Sequence, residues 1–188
     1  MCQDAELIAL IRSGDLSAFE ALYNKYKLPV FQTALAITRD HYAAEEILQD
    51  CFVRAYLNID RLDGSTSISP WLHRIAVNLA YNWVLRRRWT LPLEDIVDCL
   101  VAGPRTSPEH HLEEDELQRT LREAIDSLPF RQRVVLILYY LQGFSLGEIA
   151  QILDCPVGTA KSRLHYACEK LRAKLERKFQ SQAAYELL

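Results

Sequence analysis

The residues with the clearest capacity for chemistry lie between Phe144 and Arg172, where a run of polar and basic side chains follows a sharp turn. Hydroxyl, ammonium, guanidinium, imidazole and phenol groups donate hydrogen bonds to base edges and to phosphate oxygens. The chemistry they indicate is therefore recognition of nucleic acid by direct contact. The candidate contact residues are Thr159, Lys161, Ser162, Arg163, His165 and Tyr166.

Two helices must position these side chains. Ser145 and Glu148 have the spacing of a capping box, which begins the first helix. Pro156 ends the turn after it and favours entry into the second helix, whose buried stripe is formed by Leu164, Ala167 and Leu171. This layout predicts a helix-turn-helix, whose second helix enters the major groove with its N-terminus first. An αα-hairpin with a solvated charged face is the alternative.

A second group of candidate residues lies on a predicted helix from Pro70 to Arg88, where aromatic rings, amides and arginines alternate. Rings that stack on bases, in a groove that attracts phosphates, are typical of single-stranded nucleic-acid binding. The alternative is that Trp71 and Ile75 face the core and the arginines form a solvated end. The candidate contact residues here are Trp71, Arg74, Asn78, Tyr81, Asn82, Arg86, Arg87 and Arg88.

Charge is distributed unevenly along the chain, although the formal net charge is only −3. Residues 70–92 contain four arginines and no acid, residues 93–117 contain eight acids and one arginine, and residues 145–179 contain seven basic and four acidic residues. A protein that binds DNA needs cations only where phosphates lie, because counterions are released there. The pattern predicts two separate contacts with nucleic acid, on either side of an acidic segment.

Composition excludes several other classes of protein. The chain has 188 residues, 49% of them apolar, but no apolar run of about 18 residues that would span a membrane. The N-terminus lacks the basic-then-apolar order of a secretory signal. Five scattered cysteines without a Cys-x-x-Cys pair predict reduced thiols in a cytoplasmic protein, and Cys51 falls on an apolar helix face. His110-His111 lacks a second ligand pair, so we predict no metal site and no cofactor.

Apolar periodicity predicts helices along the whole chain and convincing strands nowhere. We predict a short helix ended by Gly14, a capping box formed by Ser17 and Glu20, an interruption at Pro29, and a long helix capped by Asp40. The predicted fold is all-α: two small helical domains joined by a flexible linker, the C-terminal one containing the helix-turn-helix. The predicted boundaries are residues 1–90, a linker at 91–106 that is rich in turn formers and acids, and residues 107–180.

Five motifs carry a resemblance that covers nearly the whole chain. In the order and spacing in which they occur, they resemble the extracytoplasmic-function group of bacterial sigma factors. They are residues 44–52 (AEEILQDCF), 71–78 (WLHRIAVN), 128–136 (from Leu-Pro to RQRVVL), 143–150 (GFSLGEIA) and 157–164 (VGTAKSRL).

The resemblance implies an alternative sigma factor that directs promoter-specific transcription initiation and is controlled by an anti-sigma factor. It implies that helix 70–88, with the loop at 60–69, melts and reads the minus-ten element, and that helix 157–172 reads the minus-thirty-five element. It also implies contact with core RNA polymerase, through the clamp of the large subunit and the flap. The residues that match the clamp-binding segment are Glu46, Gln49, Asp50, Phe52 and Arg54.

Two other classes of function remain possible from the residues themselves. A self-sufficient helix-turn-helix repressor or activator would explain residues 144–172, but not the aromatic and arginine-rich helix, and it usually binds two half-sites as a dimer. An enzyme would need a partner for the acids Glu45, Glu46 and Asp50. No histidine, cysteine or glycine-rich phosphate loop converges with them in the sequence. We therefore predict that the protein is not an enzyme.

Overall fold

A computed structural model of the chain describes the backbone of residues 3–61, 67–89 and 116–185. All regular structure within these ranges is helical, which confirms the prediction of an all-α fold. The predicted linker at 91–106, the start of the second domain at 107 and the pair His110-His111 lie outside the described residues. So do residues 62–66 of the predicted loop at 60–69.

In the N-terminal half, residues 3–61 and 67–89 form four α-helices and one short 3-10 turn. Helix α2 packs against both α3 and α4, which also contact each other, and α1 lies against α2. The side chains at the centre are fully buried, among them Leu22, Val30, Ile37, Leu72 and Ala76. The bounds are α1 Gln3–Arg12, α2 Leu16–Thr38, α3 His41–Leu57, the 3-10 turn Ile59–Arg61 and α4 Ser69–Trp89.

The cap of α2 differs from the predicted pair Ser17 and Glu20. Helix α2 begins at Leu16, and Asp15 is its N-cap, with Oδ1 accepting from the backbone N–H of Ser17 at 2.8 Å. The Ser17 hydroxyl donates to the same carboxylate oxygen at 2.7 Å. The prediction was wrong because a carboxylate two residues earlier already occupies the first free N–H groups. The predicted cap Asp40 is confirmed, and accepts from the N–H of Ala43 at 3.0 Å.

The predicted interruption of the helix at Pro29 is wrong, because Pro29 lies inside the continuous helix α2. A proline in a helix interior removes one hydrogen bond and costs about 3 kcal/mol. The apolar stripe continues in register on both sides of it, because Tyr26, Val30 and Ala34 are all buried in the same core. Packing of α2 against α3 and α4 therefore outweighs the local cost of the proline.

Residues 116–185 of the C-terminal half form four more α-helices. The helix that begins at Phe130 changes to a π-turn at Ile137, before Gly143 ends it with φ +72°. Leu121 is 42% exposed, whereas Ala124 and Leu128 are buried. The bounds are α5 Glu116–Asp126, α6 Phe130–Leu136, the π-turn Ile137–Leu141, α7 Leu146–Ile152 and α8 Val157–Tyr185.

The two halves pack against each other. Helix α4 contacts α7, and α2 contacts the π-turn. Buried side chains of α6, the π-turn and α7 therefore belong to the same apolar cluster as the core of the N-terminal half. A smaller cluster, formed by Leu128, Leu136 and Ala167, lies within the C-terminal half alone.

Candidate nucleic-acid interface

The helix-turn-helix is built by short-range contacts. Glu148 Oε2 accepts from the backbone N–H of Ser145 at 2.8 Å, and Ser145 Oγ accepts from the N–H of Glu148 at 3.3 Å. The predicted capping box is therefore confirmed in both directions. Asp154 takes the left-handed conformation, with φ +49°, in the turn that separates α7 from α8. Aspartate is one of the few residues that tolerate this conformation, which permits the sharp turn between the two helices.

The start of α8 presents most of the predicted residues to solvent. Ala160 and Ala167 are fully buried and hold the opposite face of the helix against the domain. Arg163 differs, because its guanidinium Nη1 donates to Cys155 Sγ at 3.7 Å and its side chain is half-buried beside the turn. Thr159 is also half-buried. The exposed residues of the predicted set are Lys161, Ser162, His165 and Tyr166.

A buried carboxylate, not predicted from the sequence, fixes the start of α4. Asp4 is 1% exposed and accepts from Lys25 Nζ at 2.6 Å, from the Tyr26 hydroxyl at 2.7 Å and from the backbone N–H of Ile68 at 3.1 Å. Burial alone raises the pKa of Asp4, but these hydrogen bonds outweigh it and hold the pKa below its usual value. Asp4 thus joins α1, α2 and the residue that precedes α4.

One side of α4 carries the predicted contact residues at helical spacing. Arg74, Asn78 and Asn82 are four residues apart and exposed, so they lie one above another on the helix surface. Tyr81 lies beside them and is 38% exposed. Trp71 is half-buried and packs against the core, as the alternative interpretation held.

The C-terminal end of α4 carries the predicted arginine cluster. Arg86 and Arg87 are exposed, and the Arg87 guanidinium lies 5.1 Å from the ring centroid of Trp83. Arg87 Nη1 also lies 3.4 Å from Asp40 Oδ2. Nothing of the side chain of Arg88 is described. The cluster therefore joins α4 to the start of α3, while Arg86 faces solvent.

The outward face of α3 contains four of the five predicted polymerase-binding residues: Glu46, Gln49, Asp50 and Arg54, all exposed. The assignment of Phe52 to the polymerase-binding face is corrected. Its side chain is 4% exposed and its ring packs edge-on against Tyr23, with centroids 4.8 Å apart. A side chain buried in the core cannot contact a partner directly. Val53, 57% exposed, shares the outward face, and the sequence analysis missed it. Its position seven residues after Glu46 was the available signal.

Other chemistry is sparse in the part of the chain that the structure describes. No cluster of three or more histidine, cysteine or acidic side chains is placed to hold a metal ion there. Burial raises the pKa of the Cys51 thiol to about 12, which confirms the predicted role of this cysteine as a small apolar residue. None of the described helices combines the length and the apolarity that crossing a bilayer requires.

Two family models match the chain, one in each half. Residues 22–90 match Sigma-70 region 2, which includes α3 and α4. Residues 118–171 match Sigma-70 region 4, which includes the helix-turn-helix. The class of protein is therefore that of the sigma-70 transcription initiation factors.

Relatives define the group within that class. The chain is 34% identical over 180 residues to the ECF RNA polymerase sigma factor SigW of Bacillus subtilis, covering 89% of this chain and 94% of the relative. It is 33% identical over 184 residues to the ECF RNA polymerase sigma-E factor of Escherichia coli K12, covering 92% and 94%. The chain belongs to the extracytoplasmic-function (ECF) sigma factors.

Solved structures agree with this fold. The sigma factor RpoE of Bartonella quintana, in complex with the anti-sigma factor NepR, has a TM-score of 0.67 and is 24% identical, covering 84% of this chain and 96% of that one. CnrH in complex with the cytosolic domain of CnrY has a TM-score of 0.66 and is 24% identical, covering 93% and 97%. At this identity the likeness supports the fold.

Proposed function

We propose that this ECF sigma factor binds core RNA polymerase through the outward face of α3, and that the holoenzyme reads a promoter at two places. Helix α4 reads and opens the minus-ten element, and helix α8 reads the minus-thirty-five element. The observation that carries the proposal is that three predicted contact sets occupy exposed faces of three separate helices. One chain therefore presents one protein-binding surface and two surfaces for nucleic acid.

The composition of α4 supports contact with a melted strand. Asn78 and Asn82 offer amide donors and acceptors at adjacent turns, Tyr81 offers a ring for stacking, and Arg74 and Arg86 offer cations for phosphates. Bases that have left the duplex expose their faces and edges to such groups. A base-stacking contact is worth about 1–3 kcal/mol, enough to favour a strand already separated.

The start of α8 supports contact with an intact duplex. Its exposed hydroxyl, ammonium, imidazole and phenol groups lie on a helix that fits the major groove, where every base pair has a distinct pattern of donors and acceptors. Lys161 and Arg163 lie on opposite flanks of that exposed face, because 3.6 residues complete one turn. They suit contact with phosphates and with guanine, respectively.

The face of α3 supports contact with a protein. Val53 is an exposed apolar residue, and the charged side chains of Glu46, Asp50 and Arg54 lie around it. An apolar centre with a polar rim is the usual anatomy of a protein interface. We assign this face to the clamp of the polymerase large subunit, and the C-terminal half to the flap and promoter DNA.

The same proposal includes an anti-sigma factor as a second protein partner. One solved structure of similar fold is described as a complex of this kind, that of RpoE with the anti-sigma factor NepR. A second holds CnrH in complex with the cytosolic domain of CnrY. The chain acts in the cytoplasm, where core polymerase lies, and acts as a subunit of the polymerase rather than by catalysis of its own.

Run-off transcription tests the proposal. Purified chain and bacterial core polymerase are combined on a random promoter library, and the initiating sequences are recovered. Asp50→Lys reverses a charge on the outward face of α3, whereas Glu20→Lys makes the same change on an exposed position of α2. We expect specific initiation with the unaltered chain and with Glu20→Lys, and loss of core binding by about tenfold or more with Asp50→Lys.

Three outcomes would contradict the proposal. The chain fails to associate with core polymerase, it associates without directing specific initiation, or both charge reversals have the same effect. Tight binding to one duplex sequence in the absence of polymerase would favour the helix-turn-helix regulator instead.

A further inference from the structure

The guanidinium of Arg163 in α8 contacts the turn that precedes the helix. Its Nη1 donates to Cys155 Sγ at 3.7 Å, and both side chains are half-buried. Arg163 lies six residues after Val157, the first residue of α8, which is about 9 Å along the helix axis. Helical side chains lean towards the N-terminus, so a side chain as long as arginine reaches back to the sulfur atom.

The position of Cys155 is fixed by backbone hydrogen bonds. Its N–H donates to the carbonyl oxygen of Ala150 at 3.0 Å, and the N–H of Asp154 donates to that of Gln151 at 3.4 Å. With the left-handed conformation of Asp154, these two bonds form a Schellman motif at the end of α7. The sulfur atom of Cys155 therefore has a defined place relative to α7.

The start of α8 is fixed to the same turn. The carbonyl oxygen of Pro156 accepts from the N–H of Thr159 at 2.9 Å and from the N–H of Ala160 at 3.2 Å. Ala160 is fully buried, and Cys155 packs against the same apolar core. Donor and acceptor of the Arg163–Cys155 contact therefore belong to one local unit, which is held together by short-range contacts.

This local unit does not depend on the N-terminal half. Arg163 and Cys155 also line a cleft of about 280 Å³, and Asn78 and Tyr81 of α4 line it from the other half. The Arg163–Cys155 contact joins residues only eight positions apart, both within the C-terminal half. We therefore expect the contact in the polymerase-bound chain as well, wherever α4 lies.

An arginine that is held in place before binding suits the recognition of one base. A guanidinium has five N–H donors in a planar fork, so a single contact with sulfur leaves enough donors for O6 and N7 of guanine. A long side chain loses rotamer freedom when it binds, and one that is already ordered loses less. Sulfur is a weak acceptor, so the expected gain in specificity is modest.

We propose that Cys155 is a positioning residue for the minus-thirty-five element: its sulfur atom holds the guanidinium of Arg163 in the arrangement that reads guanine. This inference rests on the proposed function, because it uses the role assigned to Arg163 in α8. Cys155 acts through Arg163 rather than by contact with DNA. It therefore affects which base pair the holoenzyme prefers, and not whether the chain binds core polymerase.

A promoter library randomised only in the minus-thirty-five element tests the inference, with holoenzyme assembled from core polymerase and each purified chain. Arg163→Ala identifies the base pair whose preference depends on the guanidinium. Cys155→Ala removes the acceptor, whereas Cys155→Ser replaces it with an oxygen acceptor. Cys168→Ala is the matched control, because Cys168 is also half-buried and its sulfur lies 3.7 Å from the Tyr140 hydroxyl instead.

We expect the unaltered chain and Cys168→Ala to show the same preference for guanine at that base pair. Cys155→Ala should reduce the preference by about threefold, which is part of the discrimination that a bidentate contact supplies. Cys155→Ser should restore most of it. In the Arg163→Ala chain, Cys155→Ala should cause no further change, because the side chain that it positions is absent. Core binding and the helical circular dichroism should be the same for all four cysteine chains.

Four results would overturn the inference and leave the proposed function intact. Cys155→Ala has the same preference as Cys168→Ala, it has the same effect with and without Arg163, serine restores nothing, or Cys155→Ala lowers initiation at every library sequence alike. If the unaltered holoenzyme initiates without any preference in the minus-thirty-five element, or Arg163→Ala alters none, the assigned role of α8 is wrong. The inference then fails together with that part of the proposed function.

Discussion

The two halves of this protein position α4 and α8, the helices proposed to contact DNA, by different means. In the N-terminal half, Asp4 contacts Ile68 across 64 residues of sequence and thereby fixes the entry to α4. In the C-terminal half, Ser145 and Glu148 cap α7 across three residues, and Asp154 forms the turn that leads to α8. The first device is buried and long-range, whereas the second is local and at the surface.

This contrast indicates different sensitivities of the two halves. A buried carboxylate with three donors is costly to disturb, because the Tyr26 hydroxyl and the backbone N–H of Ile68 lose their acceptor in a buried site. A surface cap contributes less, since water replaces the lost hydrogen bonds. We therefore expect the position of α4 to depend on the global stability of the protein, and the position of α8 to tolerate local substitutions.

The largest expected effect follows from replacement of the buried carboxylate. Asp4→Ala leaves Lys25 and the Tyr26 hydroxyl without their acceptor, and should reduce the free energy of unfolding by about 2–4 kcal/mol. This is less than for a fully buried ion pair, because the Lys25 side chain is 38% exposed. Urea denaturation followed by circular dichroism measures the change. Glu6→Ala, at an exposed position of the same helix, should change stability by less than about 0.5 kcal/mol. Equal effects would mean that Asp4 has no special role.

The next effect concerns specificity in the C-terminal half. Arg163→Ala should weaken binding of the holoenzyme to the minus-thirty-five element by about 1–3 kcal/mol, because a bidentate contact with guanine is lost. Arg172→Ala removes the same charge from an exposed position further along α8 and should weaken binding less. Electrophoretic mobility shift with wild-type and mutated elements measures both. An equal loss of core polymerase binding by Arg163→Ala would indicate misfolding.

The next prediction concerns the pH dependence of stability that arises from His73, a residue of α4 whose ring packs against the C-terminal half. His73 is 1% exposed, its Nδ1 lies 2.8 Å from the carbonyl oxygen of Ser69, and its ring packs against Phe144 with centroids 4.8 Å apart. Burial lowers the pKa of His73 below its ordinary value of 6.5, and hydrogen bonds to Ser69 and Gln142 offset this only in part. The unfolded chain therefore binds more protons as the pH falls through 6.5, and the folded chain loses stability there.

Between about pH 7.5 and 5.5, the free energy of unfolding should fall by at most about 1.4 kcal/mol. The reason is that pH 5.5 lies one unit below the ordinary pKa, and one unit corresponds to about 1.4 kcal/mol. Urea denaturation at both values, with His73→Phe for comparison, measures it. The variant should show a smaller change than the unaltered chain. His41→Phe, at an exposed position, should retain the full change. If His73→Phe retains it as well, the protonation of another group accounts for the effect.

The smallest effect concerns the surface cap. Ser145→Ala removes one side of the capping box and should reduce the free energy of unfolding by about 1 kcal/mol. The same denaturation experiment measures it, and Ser162→Ala, an exposed serine of α8, provides the comparison. A loss as large as that of Asp4→Ala would remove the distinction between local and long-range positioning.

Features that depend on neighbours within about four residues were predicted from the sequence. The helical fold, the capping box of Ser145 and Glu148, the cap at Asp40 and the motifs of both sigma regions are of this kind. Apolar periodicity and capping geometry are repeated in every helix, so they can be recognised without knowledge of the fold. The cap at Asp15 was missed because two local patterns competed and the carboxylate lay nearer the helix start.

The sequence by itself determined that this chain is helical, that it carries two basic segments, and to which family it belongs. Tertiary structure alone decided that Phe52 is core, that Pro29 lies within a continuous helix, that Asp4 fixes α4, and that Asn78 and Arg163 share one cleft. Each of these depends on contacts between residues far apart in the chain, whose energies arise only when the helices pack. No local pattern contains that information.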